Sequence, residues 1–124
     1  MSYEPIPDDI RDLIQRHIDS VAQLEALLFL RAHPANSWEV ATIAAKLYAP
    51  EQEIARALAH LFADGFLTRD SESYRYECPE PLRTKIDRLA EAYSRQLIPI
   101  TNLIHAKPRN IRQFSDAFKF RTSD

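Results

Sequence analysis

Apolar positions recur at helical spacing over most of this chain and alternate in one short stretch. Ile10, Leu13, Ile14 and His17 or Ile18 form one stripe, and Asp8 or Asp9 is placed to cap it, which predicts a first helix to about Ile18. Ser20-Val-Ala-Gln then reads as a capping box, with Ser20 and Gln23 each reaching an orphan N–H near the other. The helix behind it, to about Ala32, carries Val21, Leu24, Leu27, Leu28 and Leu30. It is nearly apolar all round, so a central position is expected. Pro34 stops it.

Asn36 or Ser37 caps the next predicted helix, Trp38 to Tyr48, with Val40, Ile43, Ala44 and Leu47 as its stripe. Pro50 suits the first turn of a following helix to Ala63 or Asp64, whose stripe is Ile54, Leu58, Leu61 and Phe62. Gly65 then supplies a left-handed C-terminal cap. From Phe66 to Arg69 and from Tyr74 to Cys78 the pattern changes to period two, predicting a hairpin. No glycine stands between those strands, so a tip longer than two residues is expected. Beyond Pro79 and Pro81, residues Ile86, Ala90, Tyr93, Leu97, Ile100 and Ile104 recur at alternating spacings of four and three, a heptad seam on a long helix. Pro99 should kink that helix near Arg95. A last short helix is expected from Asn110, with Ile111, Phe114, Ala117 and Phe118 as its apolar face.

The fold class this predicts is mainly α with a small β-hairpin, and the order of elements resembles a winged helix-turn-helix followed by a long C-terminal dimerisation helix. The first unit is residues 1–80, with a positioning helix at about 37–48, a recognition helix at about 50–64 and a wing at about 66–78. Residues 81–124 form the long kinked helix and a basic amphipathic tail. The heptad seam can pack on residues 8–30 of its own chain. However, residues 20–67 look able to close a core among themselves, so the expectation is a homodimer joined through the six seam residues.

Composition narrows the chemistry. Gly65 is the only glycine, which excludes phosphate-cradling loops and dinucleotide-binding turns. His17, His33, His60 and His105 are spread over separate helices and Cys78 stands alone, so no zinc site is expected. Ser37 and Ser71 lack a candidate base, and no enzyme activity or cofactor is expected. Cys78 shares an alternating strand with Tyr76 and reads as a packing residue. A lone cysteine, no secretory signal and no long apolar run fit a cytoplasmic protein without a transmembrane segment.

The order of elements resembles the bacterial winged helix-turn-helix transcription regulators of the MarR-like and PadR-like kind. The residues that carry the resemblance are Ser20-Val-Ala-Gln-Leu-Glu-Ala-Leu-Leu-Phe-Leu, then Val40-Ala-Thr-Ile-Ala-Ala-Lys-Leu, then Ile54-Ala-Arg-Ala-Leu-Ala-His-Leu-Phe-Ala-Asp-Gly-Phe-Leu. The ending Ile111-Arg-Gln-Phe-Ser-Asp-Ala-Phe-Lys-Phe-Arg is also similar to the tail of a group of small bacterial proteins of this type. The resemblance implies binding to double-stranded DNA by a dimer.

The residues supply an independent argument. With Ile54, Leu58 and Leu61 buried, the opposite face holds Gln52, Arg56, Ala59 and Ala63, flanked by Glu53 and His60. Small residues let a helix enter a major groove closely, and Gln52 and Arg56 suit adenine and guanine. Arg69, Arg75, Lys46 and the backbone N–H groups at Ser37 and Trp38 are candidate phosphate contacts. Trp38 also reads as a cover over the end of the preceding helix, near His33 and Pro34.

Charge argues the other way. The net charge is −2, but residues 1–80 carry −7 and residues 81–124 carry +5. Residues 50–77 hold three arginines against six acids, which repels phosphate. The alternative is a winged helix that docks a protein and does not bind DNA. Residues 107–121 combine five basic residues with Phe114, Phe118 and Phe120. Such a segment fits a protein partner's groove or an anionic membrane surface, or it packs back on the domain.

Overall fold

The computed structural model describes residues 5–107. Helix α1 is Asp8–His17, α2 is Val21–Ala32, and a two-residue strand β1 is Trp38–Glu39. Helices α3, Val40–Leu47, and α4, Glu51–Ala63, follow; the strands β2, Leu67–Asp70, and β3, Ser73–Tyr76, come next. The described chain closes with α5, Leu82–Arg95, and α6, Leu97–Ala106. The expected last helix from Asn110, and all of the tail beyond Lys107, lie outside the described residues.

Local rules account for most element ends. Ser20 Oγ accepts from the Gln23 N–H at 3.1 Å, as a capping box requires. The reciprocal arm differs by one residue, since Gln23 Oε1 accepts from the Asp19 N–H at 2.9 Å and not from Ser20. Gln23 Nε2 also donates to the His17 carbonyl at 2.8 Å. This amide therefore crosses the α1–α2 corner, and its burial is compensated by two bonds. At the end of α4 the Phe66 N–H reaches the Leu61 carbonyl and the Gly65 N–H the Phe62 carbonyl, with Gly65 at φ +91°. Those two bonds define a Schellman cap, as Gly65 predicts. Asp8 and Asp9 do not cap α1. Its N-cap is Pro7, and the two acids sit in the first turn, where they favour the helix dipole.

Three expectations are corrected by the sheet. The helix α3 does not begin at Trp38, and neither Asn36 nor Ser37 caps it. Trp38 and Glu39 are extended and pair with Tyr74 and Ser73, so the sheet has three strands in the order β1-β3-β2. The free edge of β3 supplies partners for backbone groups that would otherwise open a helix. The wing tip is also tighter than expected. Asp70 pairs with Ser73, leaving Ser71 and Glu72 as a two-residue turn with Ser71 at φ +61°. Ser71 occupies the left-handed position that glycine usually fills.

The long C-terminal helix is broken rather than kinked. Gln96 leaves helical geometry at φ −127°, ψ 48°, and α6 starts at the next residue. Pro99 thereby falls in the first turn of a new helix, where no N–H is required of it. The break lets both halves pack on α1. One core cluster takes Ile10, Leu13 and Ile14 from α1, Leu24, Leu27 and Leu30 from α2, and Ile54, Leu58 and Leu61 from α4. It also takes Ile86 and Leu89 from α5 and Ile100 and Ile104 from α6.

Most of the expected dimer seam is thus placed elsewhere. Ile86, Ile100 and Ile104 are buried within their own chain, and Ala90 and Tyr93 are half-buried. Leu97 is 48% exposed, and its neighbour Ile98 is 62% exposed. The short helix α1 has an apolar face that residues 20–67 do not cover, and the seam covers it.

Candidate nucleic-acid interface

The helix-turn-helix is built by two caps. Helix α3 ends in a second Schellman pair, with the Ala49 N–H on the Ala44 carbonyl at 3.0 Å and the Tyr48 N–H on the Ala45 carbonyl at 3.4 Å. Tyr48 takes the left-handed position at φ 55°, ψ 42°. Pro50 then serves as the N-cap of α4 in extended geometry. The turn between the helices is therefore Tyr48, Ala49 and Pro50.

Helix α4 buries Ile54, Ala57, Leu58 and Leu61. Gln52, Glu53, Arg56, Ala59 and Ala63 are exposed on its other side. The side chains of Gln52 and Arg56 make no hydrogen bond or ion pair among the described residues, and the same holds for the side chain of Lys46, exposed on α3. Phe62, expected in the buried stripe, is 43% exposed and meets the Tyr74 ring edge-on at 6.2 Å. His60 leans away from the outer face, its Nδ1 3.8 Å from Asp19 Oδ2. Close by, His17 Nδ1 lies 3.1 Å from Asp64 Oδ2, so polar contacts tie the C-terminal end of α4 to the α1–α2 corner.

The wing does not bring its two arginines together. Arg69 is opposite Tyr74 and Arg75 is opposite Thr68, so the two side chains belong to opposite faces of the sheet. The Arg69 guanidinium lies 5.6 Å over the Tyr74 ring and its Nε donates to the Ser71 carbonyl at 2.9 Å. Arg75 pairs with Glu77 at 3.1 Å. Ser37 is exposed in the loop before β1, and Trp38 is half-buried in that strand. Their N–H groups do not open a helix, so the helix-terminus geometry expected to favour a phosphate there is not formed. The Trp38 ring packs edge-on against Phe29 at 4.9 Å and His33 at 5.5 Å, the covering position.

Thr42 and Tyr48 escaped the sequence reading. Together with Ala41, Ala45 and Lys46 they line an open groove of about 590 Å³ on the outer side of α3. For Thr42 the signal was available on a helical wheel, since it faces away from Val40, Ile43, Ala44 and Leu47, whereas Tyr48 lies past the helix in the left-handed cap.

Among the described residues no cluster of His, Cys, Asp and Glu is arranged to hold a metal ion. Cys78 is buried, and burial pushes its thiol pKa upward, which makes it a poor nucleophile. No described helix is long and apolar enough to cross a membrane.

A positioning helix, a capped turn, a second helix and a two-stranded ribbon braced by a short third strand define the winged helix-turn-helix class. Comparison with solved structures agrees. The chain superposes on the crystal structure of a MarR family transcriptional regulator from Silicibacter pomeroyi with a TM-score of 0.52 at 18% identity, covering 93% of this chain and 78% of that one. A second MarR family regulator from the same organism gives 0.49 at 22% identity, covering 92% and 77%. At 18% identity the likeness to the first is one of fold. No family model and no curated protein matches the sequence.

Proposed function

We propose that this chain is a transcription regulator that binds double-stranded DNA, with α4 entering the major groove. The observation that carries the reading is the outer face of α4, where Arg56 and Gln52 are exposed and make no intrachain bond among the described residues, beside the small residues Ala59 and Ala63. Close approach and base-edge pairing need that combination. Lys46 and Arg69 are the phosphate contacts of the reading; Arg75 contributes less, because Glu77 already neutralises it. The function is binding, without catalysis or cofactor, and a cytoplasmic setting fits the single buried thiol. The winged unit, about residues 1–80, reads DNA, and residues 81–124 support assembly.

The regulator acts as a homodimer in this reading. Its contact surface is redrawn around Leu97 and Ile98, exposed at the α5–α6 break, with the half-buried Ala90 and Tyr93 of the expected seam as further candidates. A second reading, a winged helix that docks a protein, is favoured by the Arg75–Glu77 pair and by the exposed acids Glu51, Glu53, Asp70 and Glu72.

The test is fluorescence anisotropy of the full chain with random-sequence duplex DNA at low and near-physiological salt. Binding in the micromolar range that weakens steeply with salt is expected. Absence of binding at low salt would transfer the function to the protein-docking reading.

A further inference from the structure

The cap that ends α3 accounts for the left-handed backbone of Tyr48, but not for a tyrosine in that place. Tyr48 is in the left-handed region, at φ 55° and ψ 42°, where a side chain with a Cβ is strained and glycine or asparagine is preferred. Its ring is also 96% exposed. Strain at a non-glycine position is normally offset by what the side chain packs against. Here the ring buries almost nothing, so the fold gains little from having tyrosine in place of glycine.

The surroundings give the ring a use. Tyr48 lines the groove on α3 together with Thr42 and Lys46, so two hydroxyls and an ammonium border one open concavity. Helix α3 itself carries no acidic residue. That set suits an anionic oxygen. Tyr48 is four residues before Gln52, so at most about 14 Å of chain separates it from the outer face of α4. A phosphodiester held there would lie beside a helix whose own first turn, with Glu51 and Glu53, repels phosphate.

We propose that Tyr48 is a DNA-contact residue: its hydroxyl donates to a backbone phosphate seated in the Thr42–Lys46–Tyr48 groove and thereby positions the N-terminal end of α4 on the duplex. This rests on the DNA-binding reading above and adds a contact to it.

The experiment compares the full-length chain with its Tyr48→Gly and Tyr48→Phe variants, by anisotropy on a random-sequence duplex at low salt and by thermal melting. Tyr48→Gly is expected to melt about 3–5 °C higher, through relief of the left-handed strain, and to bind DNA at least about fivefold more weakly, the scale of one lost hydrogen bond. Tyr48→Phe, which keeps the ring and the strain, is expected to melt with the parent chain and to lose a similar share of binding. Lys46→Gln should lower the slope of log affinity against log salt by about one. A glycine variant that binds as tightly as the parent chain overturns the contact, and so does a phenylalanine variant with full affinity. A glycine variant that melts lower also overturns it, because the ring would then serve the fold. If the parent chain fails to bind DNA, the regulator reading falls and this contact falls with it; loss of binding in the variants alone cannot be confused with that result.

Discussion

The Lys107 ammonium donates to the Ile18 carbonyl at 2.6 Å, reaching back from the end of α6 to the end of α1. It also donates to the Ile14 carbonyl at 2.9 Å and lies 3.4 Å from Asp19 Oδ1. The last carbonyls of a helix need donors, and a cation there also favours the dipole. With its side chain only 8% exposed, Lys107 closes α1 from within the fold. Lys107→Met should therefore lower stability by about 1.5–3 kcal/mol, the range for hydrogen bonds to a charged group. A urea midpoint unchanged from the parent chain would show that water replaces the ammonium. Truncations that probe the basic tail should accordingly retain Lys107.

Tyr76 predicts the alkaline limit of the fold. Its hydroxyl is buried without a hydrogen-bond partner among the described residues, and burial pushes its pKa up from 10.0 to about 12. Below pH 10 the phenol is protonated both folded and unfolded, and it adds no pH dependence. Between pH 10 and 12 the unfolded chain releases the proton while the folded chain keeps it, so stability falls as pH rises. The buried thiol of Cys78, also pushed up by burial, adds a loss of the same sign. Urea midpoints across this window should decline less steeply for Tyr76→Phe. At neutral pH that variant should be as stable as the parent chain or about 1 kcal/mol more so, because it removes an unsatisfied polar group. A steeper alkaline decline in the phenylalanine variant would contradict the assignment.

Ile100 and Leu97 separate folding from assembly. Ile100 is fully buried, and Ile100→Ala should cost about 2–5 kcal/mol by loss of burial and creation of a cavity. Leu97 is largely open to solvent, so Leu97→Asp should keep the chain folded, with a change of about 0.5 kcal/mol or less in the monomer. If residues 97 and 98 join two copies, sedimentation should show folded monomers for this variant and dimers for the parent chain. A Leu97→Asp dimer would place the interface elsewhere.

Arg56 and Arg75 should respond differently in DNA binding. Arg56 makes no ion pair among the described residues, and Arg56→Ala should weaken binding by about 1–3 kcal/mol if it meets a base edge. Arg75 is held by Glu77 at 3.1 Å, so Arg75→Ala should change affinity little. Glu77→Gln frees that arginine and removes a repelling charge, and it should tighten binding at low salt and steepen the salt dependence. Equal losses for Arg56→Ala and Arg75→Ala would mean that the wing pair opens on DNA.

What the residues determine unaided is what short-range geometry controls. The stripes of α1, α2 and α3, and that of α4 apart from Phe62, follow from helical period alone, because a side chain's face depends only on its position in the turn. The Ser20–Gln23 cap and the Gly65 cap are local in the same sense, since their partners are within five residues. Pro99 announced a disturbance in the last long helix, through its missing N–H, but a kink was expected there and not a full break at Gln96. Tertiary structure decided everything that depends on a distant partner. Trp38 and Glu39 became a strand because β3 offered an open edge, which no neighbouring residue announces. Ile86, Ile100 and Ile104 went to the monomer core because α1 lay uncovered beside them, and an apolar stripe is the same whether it meets its own chain or a second copy. Lys107 found the end of α1 from far along the chain. Periodicity tells which side of an element avoids water; only the packed chain decides what lies against that side.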